Sequence, residues 1–138
     1  MTNNTGRTAA IRALRGNCMG AAVLLLVEFG LGMGVNLYVT VPAHQPFFST
    51  VFDRAALAAH AVIAIFLLAA AVAALVRAIR ARRGVGWTAA GLVAIIAAAG
   101  SGAGFVSSGA AGASFAMALM TGIGLLSYLA AIFALPAA

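Results

Sequence analysis

The residues that could do chemistry in this chain are few, because only 7% of its 138 residues are charged and 64% are hydrophobic. There are two acids, Glu28 and Asp53, and two histidines, His44 and His60. Glu28 and His60 stand inside long apolar runs, and ionisable groups within a bilayer are costly and usually mark function. These two residues therefore carry most of the functional question.

The apolar runs predict four membrane-spanning helices, at about 19–40, 55–76, 86–108 and 113–135. Each run is long enough for a hydrocarbon core of about 30 Å, and helices satisfy their own backbone groups in lipid. We expect one membrane domain: an all-α, up-down-up-down bundle with an N-terminal tail at 1–18 and an external loop at 41–54. This composition excludes a disordered chain, a disulfide scaffold and almost any soluble enzyme.

Arginine placement predicts the orientation, since basic residues concentrate on the cytoplasmic side of membrane proteins. Seven of the eight arginines lie in the N-terminal tail or just after the second span, and only Arg54 lies in the external loop. Both termini are therefore expected to be cytoplasmic, in a bacterial inner membrane. No aromatic residues alternate with the arginines, so a nucleic-acid partner is not expected.

Glu28 lies near the bilayer centre, about ten residues into the first span, with no arginine or lysine at its depth. We expect its carboxyl to be largely protonated, with Thr121, Ser127 or Tyr128 of the fourth span as its hydrogen-bond partners. The alternative is a purely structural role, in which the neutral carboxyl only bridges two helices.

A polar stripe from mid-membrane to the external side is predicted from Glu28, Asn36 and His60. Counted from the ends of their spans, Asn36 and His60 lie at nearly the same depth, so antiparallel packing is expected to bring them together. Either residue could instead serve only as interhelical glue. Tyr38, at the outer end of the first span, is expected to anchor at the interface and is a further ligand-site candidate.

Two glycine triplets predict close helix packing, because helices without side chains at the contact approach closely. Gly30 and Gly34, and likewise Gly100 and Gly104, are four residues apart and fall on one helical face. The similarity of the two segments suggests two similar helical hairpins. Such faces favour a homo-oligomer or membership of a larger membrane complex.

In outline the chain resembles small four-helix haem-b membrane proteins, although those carry two or more intramembrane histidines and this chain has only His60. The resemblance implies haem b bound by His60. The second axial ligand would be either Met117 of the same chain or the His60 of a second copy. A separate hypothesis is a zinc or copper site formed by His44, Asp53 and His60.

Glu28 within Val27-Glu28-Phe29 resembles the membrane-embedded glutamate in the first helix of small multidrug resistance transporters, which implies proton-coupled export. Over its whole length the chain is similar to small uncharacterised four-helix membrane proteins of actinobacteria, through its span layout and the segment from Gly34 to Pro42. No catalytic constellation is visible, and a non-enzymatic bundle, either an accessory subunit or a ligand-binding protein, is the leading expectation.

Overall fold

The computed structural model describes residues 4–38, 51 and 54–136, with side chains from residue 6 onward. The described residues form four α-helices: α1 (Asn4–Tyr38), α2 (Ala55–Ala81), α3 (Val85–Ser108) and α4 (Ala111–Ala134). All four are long and apolar enough to cross a membrane. Each packs against the next along the chain, and α4 closes the ring against α1. The predicted all-α, four-helix bundle is confirmed.

The first helix is longer than the predicted span, because it begins at Asn4 and not near Met19. The segment from Thr8 to Arg15 is rich in alanine, leucine and arginine, which favour helix and leave nothing to break it. At 1.5 Å per residue α1 is about 50 Å long, well beyond a core of about 30 Å. The predicted tail is therefore helical from Asn4 onward, and part of α1 extends past the apolar region.

One buried seam runs along each helix, and its positions alternate between spacings of three and four residues. On α1 the seam is fully buried, and it consists of Ile11, Leu14, Cys18, Ala21, Leu25, Glu28, Gly32 and Val35. Buried and half-buried positions with the same spacing are Leu57, His60, Ala64, Leu67, Ala71, Ala74 and Ala78 on α2, Thr88, Gly91, Ile95, Ala98 and Gly102 on α3, and Ser114, Met117, Thr121, Gly124, Tyr128 and Ala131 on α4. A seven-residue repeat of this kind is the signature of left-handed, knobs-into-holes packing.

The two ends of the bundle differ in chemistry. At the arginine end, which comprises the start of α1, the α2–α3 turn and the end of α4, Arg15 Nη2 donates to the carbonyls of Leu135 and Pro136, both at 3.0 Å. There Arg77 Nη1 also donates to Ala13 O at 3.2 Å. These bonds tie α1 to both of its neighbours.

The opposite end, which we call the loop end, contains the end of α1, the start of α2 and the α3–α4 turn. Val51 is buried there in a small apolar cluster with Val35, Leu57 and Val106. Part of the external loop therefore covers the bundle at this end. Phe47, Phe48 and Phe52 of the same loop are too apolar for a freely solvated segment, which predicts that they lie on the membrane surface or cover this mouth of the bundle; all three lie outside the described residues.

The predicted packing glycines are not the ones at which helices meet. A Cβ added to Gly30, Gly34 or Gly100 would contact nothing within 4 Å, and one on Gly104 would only reach Ala113 at 4.0 Å. The glycines at which helices do come into close contact lie on the seams. They are Gly32, Gly91, Gly102 and Gly124. The four-residue spacing identified a real face, but among the described residues that face points outward. Packing of these glycines against a second chain therefore stays a prediction.

Candidate functional site

Glu28 and His60 meet across the α1–α2 interface. His60 Nδ1 lies 3.2 Å from Glu28 Oε1. Both residues occupy seam positions, so the same packing that holds the helices together holds the two side chains face to face. The structure therefore joins the two ionisable residues that the sequence placed inside the membrane.

This pair is enclosed by protein. Glu28 is only 7% exposed, and the His60 side chain is 18% exposed. Neither carboxylate oxygen of Glu28 nor Nδ1 of His60 has another hydrogen-bond partner among the described residues, and the 3.2 Å contact itself lacks the alignment of a good hydrogen bond. Glu28 is also the only acid that the structure describes, since Asp53 lies outside its described ranges.

Gly32 makes room for the imidazole. A Cβ at this position would lie 3.2 Å from His60 Cε1, which is closer than carbon atoms normally approach. Because Gly32 is one turn of α1 beyond Glu28, the imidazole lies beside that turn and its Nδ1 reaches back to the carboxyl. Any larger residue at 32 would have to push the ring away.

Asn36 is not the partner of His60, which corrects the predicted pairing. It lies one turn further toward the loop end than Gly32, and its Oδ1 accepts a hydrogen bond from Ser114 Oγ of α4 at 3.2 Å. The imidazole is level with Gly32 because only a residue without a side chain leaves it space. The expected stripe is therefore divided between the α1–α2 interface, with Glu28 and His60, and the α1–α4 interface, with Asn36.

The fourth helix does not supply partners to Glu28. Thr121 Oγ1 donates to Met117 O and Ser127 Oγ to Ile123 O, both at 2.8 Å and both within α4. Tyr128 is fully buried, and its hydroxyl has no hydrogen-bond partner among the described residues. Glu28 is paired instead with His60 on the neighbouring helix, α2.

Tyr38 lies at the end of α1 and is among the most exposed large residues. This placement suits an aromatic anchor at a membrane interface. It is separated from the Glu28–His60 pair by more than one turn of α1, so it is not part of the enclosed site.

The two residues suggested as haem ligands enter different helix interfaces. His60 packs against Gly32 of α1, whereas Met117 packs against Gly102 of α3, where its Sδ lies 3.0 Å from the position of an added Cβ. Haem binding by this pair stays a prediction, and the described contacts of neither side chain add support to it.

Metal binding by His44, Asp53 and His60 also stays a prediction, because two of the three residues lie outside the described ranges. Within those ranges no group of three histidine, cysteine or acidic side chains converges. His60 itself is directed toward Glu28.

Sequence reasoning did not identify the role of Gly32, which leaves room for the imidazole, or that of Ser114, which donates to Asn36 in an exposed contact. Both lie on the seams, and the alternation of three and four residues along each helix is the signal that would have identified them. The same alternation would have placed Glu28 and His60 on facing surfaces of neighbouring helices.

Fold and site together define a four-helix bundle of membrane-spanning length with one enclosed acid–imidazole pair. No protein-family model matches the chain, and comparisons with curated proteins and with solved structures also return no match. Functional inference therefore rests on the chemistry of the pair and of the surfaces around it.

Proposed function

We propose that this chain is a non-enzymatic, multi-pass protein of a bacterial inner membrane that binds a small ligand or a partner subunit under control of one proton held by Glu28 and His60. The observation that carries the proposal is the 3.2 Å contact between Glu28 Oε1 and His60 Nδ1 in the bundle interior. With one proton between them the pair is neutral overall, either as two neutral groups or as a carboxylate with an imidazolium.

A neutral pair is the state that a low-dielectric interior favours, since an isolated charge there is strongly penalised. Adding a second proton gives the site a net positive charge, and removing the first gives it a net negative charge. We therefore propose that the two residues hold one proton between them. Binding of a charged ligand or partner near the pair changes that balance, which couples binding to proton uptake or release.

Packing alone does not require this pair. The α3–α4 hairpin has the same arrangement of a seam glycine under a large side chain, but there the side chain is Met117 and the seam residue one turn before the glycine is Ala98. An apolar set therefore fills the equivalent space. A buried acid and histidine in place of alanine and methionine are more costly, which favours a role beyond holding helices together.

Access to the pair is proposed from the loop end. His60 is the sixth residue of α2, about 8 Å along the helix from its start at Ala55. Its side chain is also the more exposed of the two. The Asn36–Ser114 contact is exposed nearer the same end, on the α1–α4 side of the bundle.

Proton release from purified protein in detergent tests the proposal, measured with a pH-indicator dye over a pH range of about 4 to 9. The double variant Glu28→Gln/His60→Met is expected to release fewer protons than wild type, by about one per chain, and each single variant is expected to release its proton over a different pH range from the pair. Ser127→Ala is the control, since this buried serine bonds only within α4. Profiles that coincide for wild type and all three site variants would rule out a shared proton.

Proton-coupled export of a lipophilic cation is the second candidate function. The observation in its favour is that the only described acid, on the first helix, faces the bundle interior and is not held by an arginine. A carboxylate there could exchange a proton for a cation. In liposomes containing the protein and a pH-sensitive dye, tetraphenylphosphonium added as the probe should drive proton movement in wild type and none in Glu28→Gln. Equal movement in both excludes Glu28 as the coupling acid.

The orientation proposed from the arginines places the arginine end in the cytoplasm. In a Cys18→Ala background, a membrane-impermeant thiol reagent applied to intact spheroplasts should label Ser49→Cys and not Gly86→Cys. Gly86 suits the control because an added side chain would meet nothing within 4 Å. Labelling of Gly86→Cys and not of Ser49→Cys would show that the orientation is opposite to the one proposed.

A homo-oligomer or accessory-subunit role is proposed from the outward glycines. Gly30 and Gly34 leave one face of α1 without side chains and without contacts inside the chain, and such faces allow a second helix to approach closely. Native mass spectrometry of protein released from its own membrane should show a multimer or a bound partner chain. A bare monomer in every detergent tested would remove this part of the proposal.

A further inference from the structure

The arginine end of the bundle contains a cleft that the Glu28–His60 site does not use. Its volume is about 520 Å³, within the range of small-molecule sites. Four of the residues that line it are arginines: Arg7 from α1, and Arg80, Arg82 and Arg83 from the end of α2 and the turn after it. Folding therefore brings together basic residues that are more than seventy positions apart in the chain.

These arginines are not used to hold the fold. Arg15 and Arg77, which also lie near this end, donate to backbone carbonyls of neighbouring segments. By contrast, the guanidinium groups of Arg7 and Arg83 form no hydrogen bond or ion pair with another described residue, and the only described acid, Glu28, is six turns of α1 away from Arg7. Within the described part of the chain, nothing competes with an added anion for these two groups.

The other residues that line the cleft are apolar, and we call them its floor. They are Ala10, Ile11 and Ala81, of which Ile11 is buried in the core. A cleft with a basic rim and an apolar floor, at the level where the helices leave the apolar region, matches an amphipathic anion. Arginine binds phosphate through paired N–H groups, which makes a phosphate group the ligand best suited to the rim.

The backbone conformation of the α2–α3 turn determines where Arg82 and Arg83, two of the arginines at the rim of the cleft, project. Arg82 has a left-handed conformation, φ 53°, and its N–H bonds to Ile79 O at 3.1 Å while that of Arg83 bonds to Ala78 O at 3.1 Å. Capping of α2 by these two residues fixes where their side chains leave the turn. The cost of a left-handed residue other than glycine is thus accepted at an arginine that lines the cleft.

We propose that this cleft binds the phosphate group of an anionic phospholipid, with the arginines around the headgroup and the apolar floor against the start of the acyl chains. The same phosphate chemistry could be supplied by a soluble phosphate compound. Basic pockets between helices at a membrane surface suit lipid headgroups in this way. The apolar floor favours the lipid as the source.

Native mass spectrometry of the full chain in detergent, titrated with short-chain phosphatidylglycerol, tests the proposal. Arg7→Gln and Arg83→Gln are each expected to weaken binding about tenfold, because each removes a charge-assisted contact. Arg12→Gln is the matched control, since Arg12 is an exposed arginine on the same helix outside the cleft; it should weaken binding less than about threefold through general surface charge. Equal weakening by all three variants would overturn the site.

Two further titrations test whether the cleft binds the phosphate group and whether a lipid or a soluble compound supplies it. Diacylglycerol with the same acyl chains should not bind measurably above background, because it lacks the phosphate; binding equal to that of phosphatidylglycerol would overturn the proposal. In the second titration, inorganic phosphate is added as a soluble competitor of the lipid. If it displaces the lipid at low millimolar concentration and the displacement is lost in Arg7→Gln, the site takes free phosphate as its ligand; if it does not, the lipid is the source.

Discussion

The two hairpins of the bundle, α1–α2 and α3–α4, share one local arrangement of glycine and large side chain, and they differ in the chemistry of the residues at that contact. Each has a Gly-x-Gly-x-Gly segment in its first helix, and in each the central glycine, Gly32 or Gly102, lies under a large side chain of the second helix. In the first hairpin that side chain is His60, and Glu28 lies one turn before the glycine. In the second it is Met117, and Ala98 takes the place of the acid.

This difference separates what the fold needs from what is added to it. A glycine and a large side chain at one register position bring two helices together in both hairpins. Only the first hairpin places a carboxyl and an imidazole at this contact, whereas the second fills the equivalent positions with the apolar side chains of Ala98 and Met117. The Glu28–His60 pair is therefore the part of the interior best explained by function.

Tyr128 marks the place where the second hairpin is most tightly packed, and breaking it should have the largest effect. A Cβ at Gly91 would lie 2.7 Å from the Tyr128 ring, which is fully buried and cannot move aside. Gly91→Ala should lower the free energy of unfolding in detergent by about 3 kcal/mol through overpacking. Gly100→Ala on the same helix is the control; if both variants unfold alike, the Gly91–Tyr128 contact is not as close as described.

Converting the first hairpin to the chemistry of the second should sharpen the comparison. Glu28→Ala alone leaves His60 buried beside a space, and should cost about 2 kcal/mol of unfolding free energy. Glu28→Ala/His60→Met reproduces the Ala98–Met117 arrangement, and should recover most of that loss, because apolar replacements of a buried pair are often neutral or stabilising.

Thermal unfolding of the wild type, both single variants and the double variant gives the coupling between the two positions. A double variant less stable than either single one would mean that the pair is needed for the fold. The contrast between the hairpins would then lose its functional meaning.

The central glycines should respond alike in stability and differently in proton binding. Gly32→Ala forces the imidazole to move from 3.2 Å, and Gly102→Ala forces the flexible end of Met117 to move from 3.0 Å. Each should cost about 1 kcal/mol, because the displaced group is a side chain that can adjust. Only Gly32→Ala should change the pH range of proton release. An unchanged range in Gly32→Ala would show that the imidazole position does not matter to the pair.

The smallest effects are expected at the outward glycines. A Cβ at Gly30 or Gly34 would meet no atom of the described residues within 4 Å, and alanine has the higher helix propensity. The thermal stability of the monomeric fold should stay within about 0.5 kcal/mol of wild type or rise. A large loss for the isolated chain would mean that these glycines contact something within it.

The four helices could be predicted from the sequence because long apolar runs in a chain with few charges have almost one solution in lipid. The pairing of Glu28 with His60 could not be, because relative depth was counted from the ends of the spans. That count placed His60 beside Asn36. The actual register is set one turn deeper, by the fit of an imidazole over Gly32.

The glycine spacing did not predict which glycines pack inside the chain, for a related reason. A four-residue spacing shows that Gly30 and Gly34 share a face, but it does not show which face packs inside the chain. The seam does show this, because alternation by three and four residues links Glu28, Gly32 and Val35 to the buried positions before them. The arginine cleft lay beyond sequence reasoning, since it depends on α1 continuing as a helix to bring Arg7 beside the α2–α3 turn.

Infrared difference spectroscopy of the reconstituted protein tests the central claim most directly, through the carbonyl stretch of a protonated carboxyl group followed with pH. A pH-dependent band is expected in wild type, absent in Glu28→Gln, displaced to a different pH range in His60→Met, and unchanged in the counterpart variant Met117→Leu. A spectrum with no pH-dependent carboxyl band removed by Glu28→Gln, or a band with the same pH range in His60→Met as in wild type, would contradict a proton shared by Glu28 and His60.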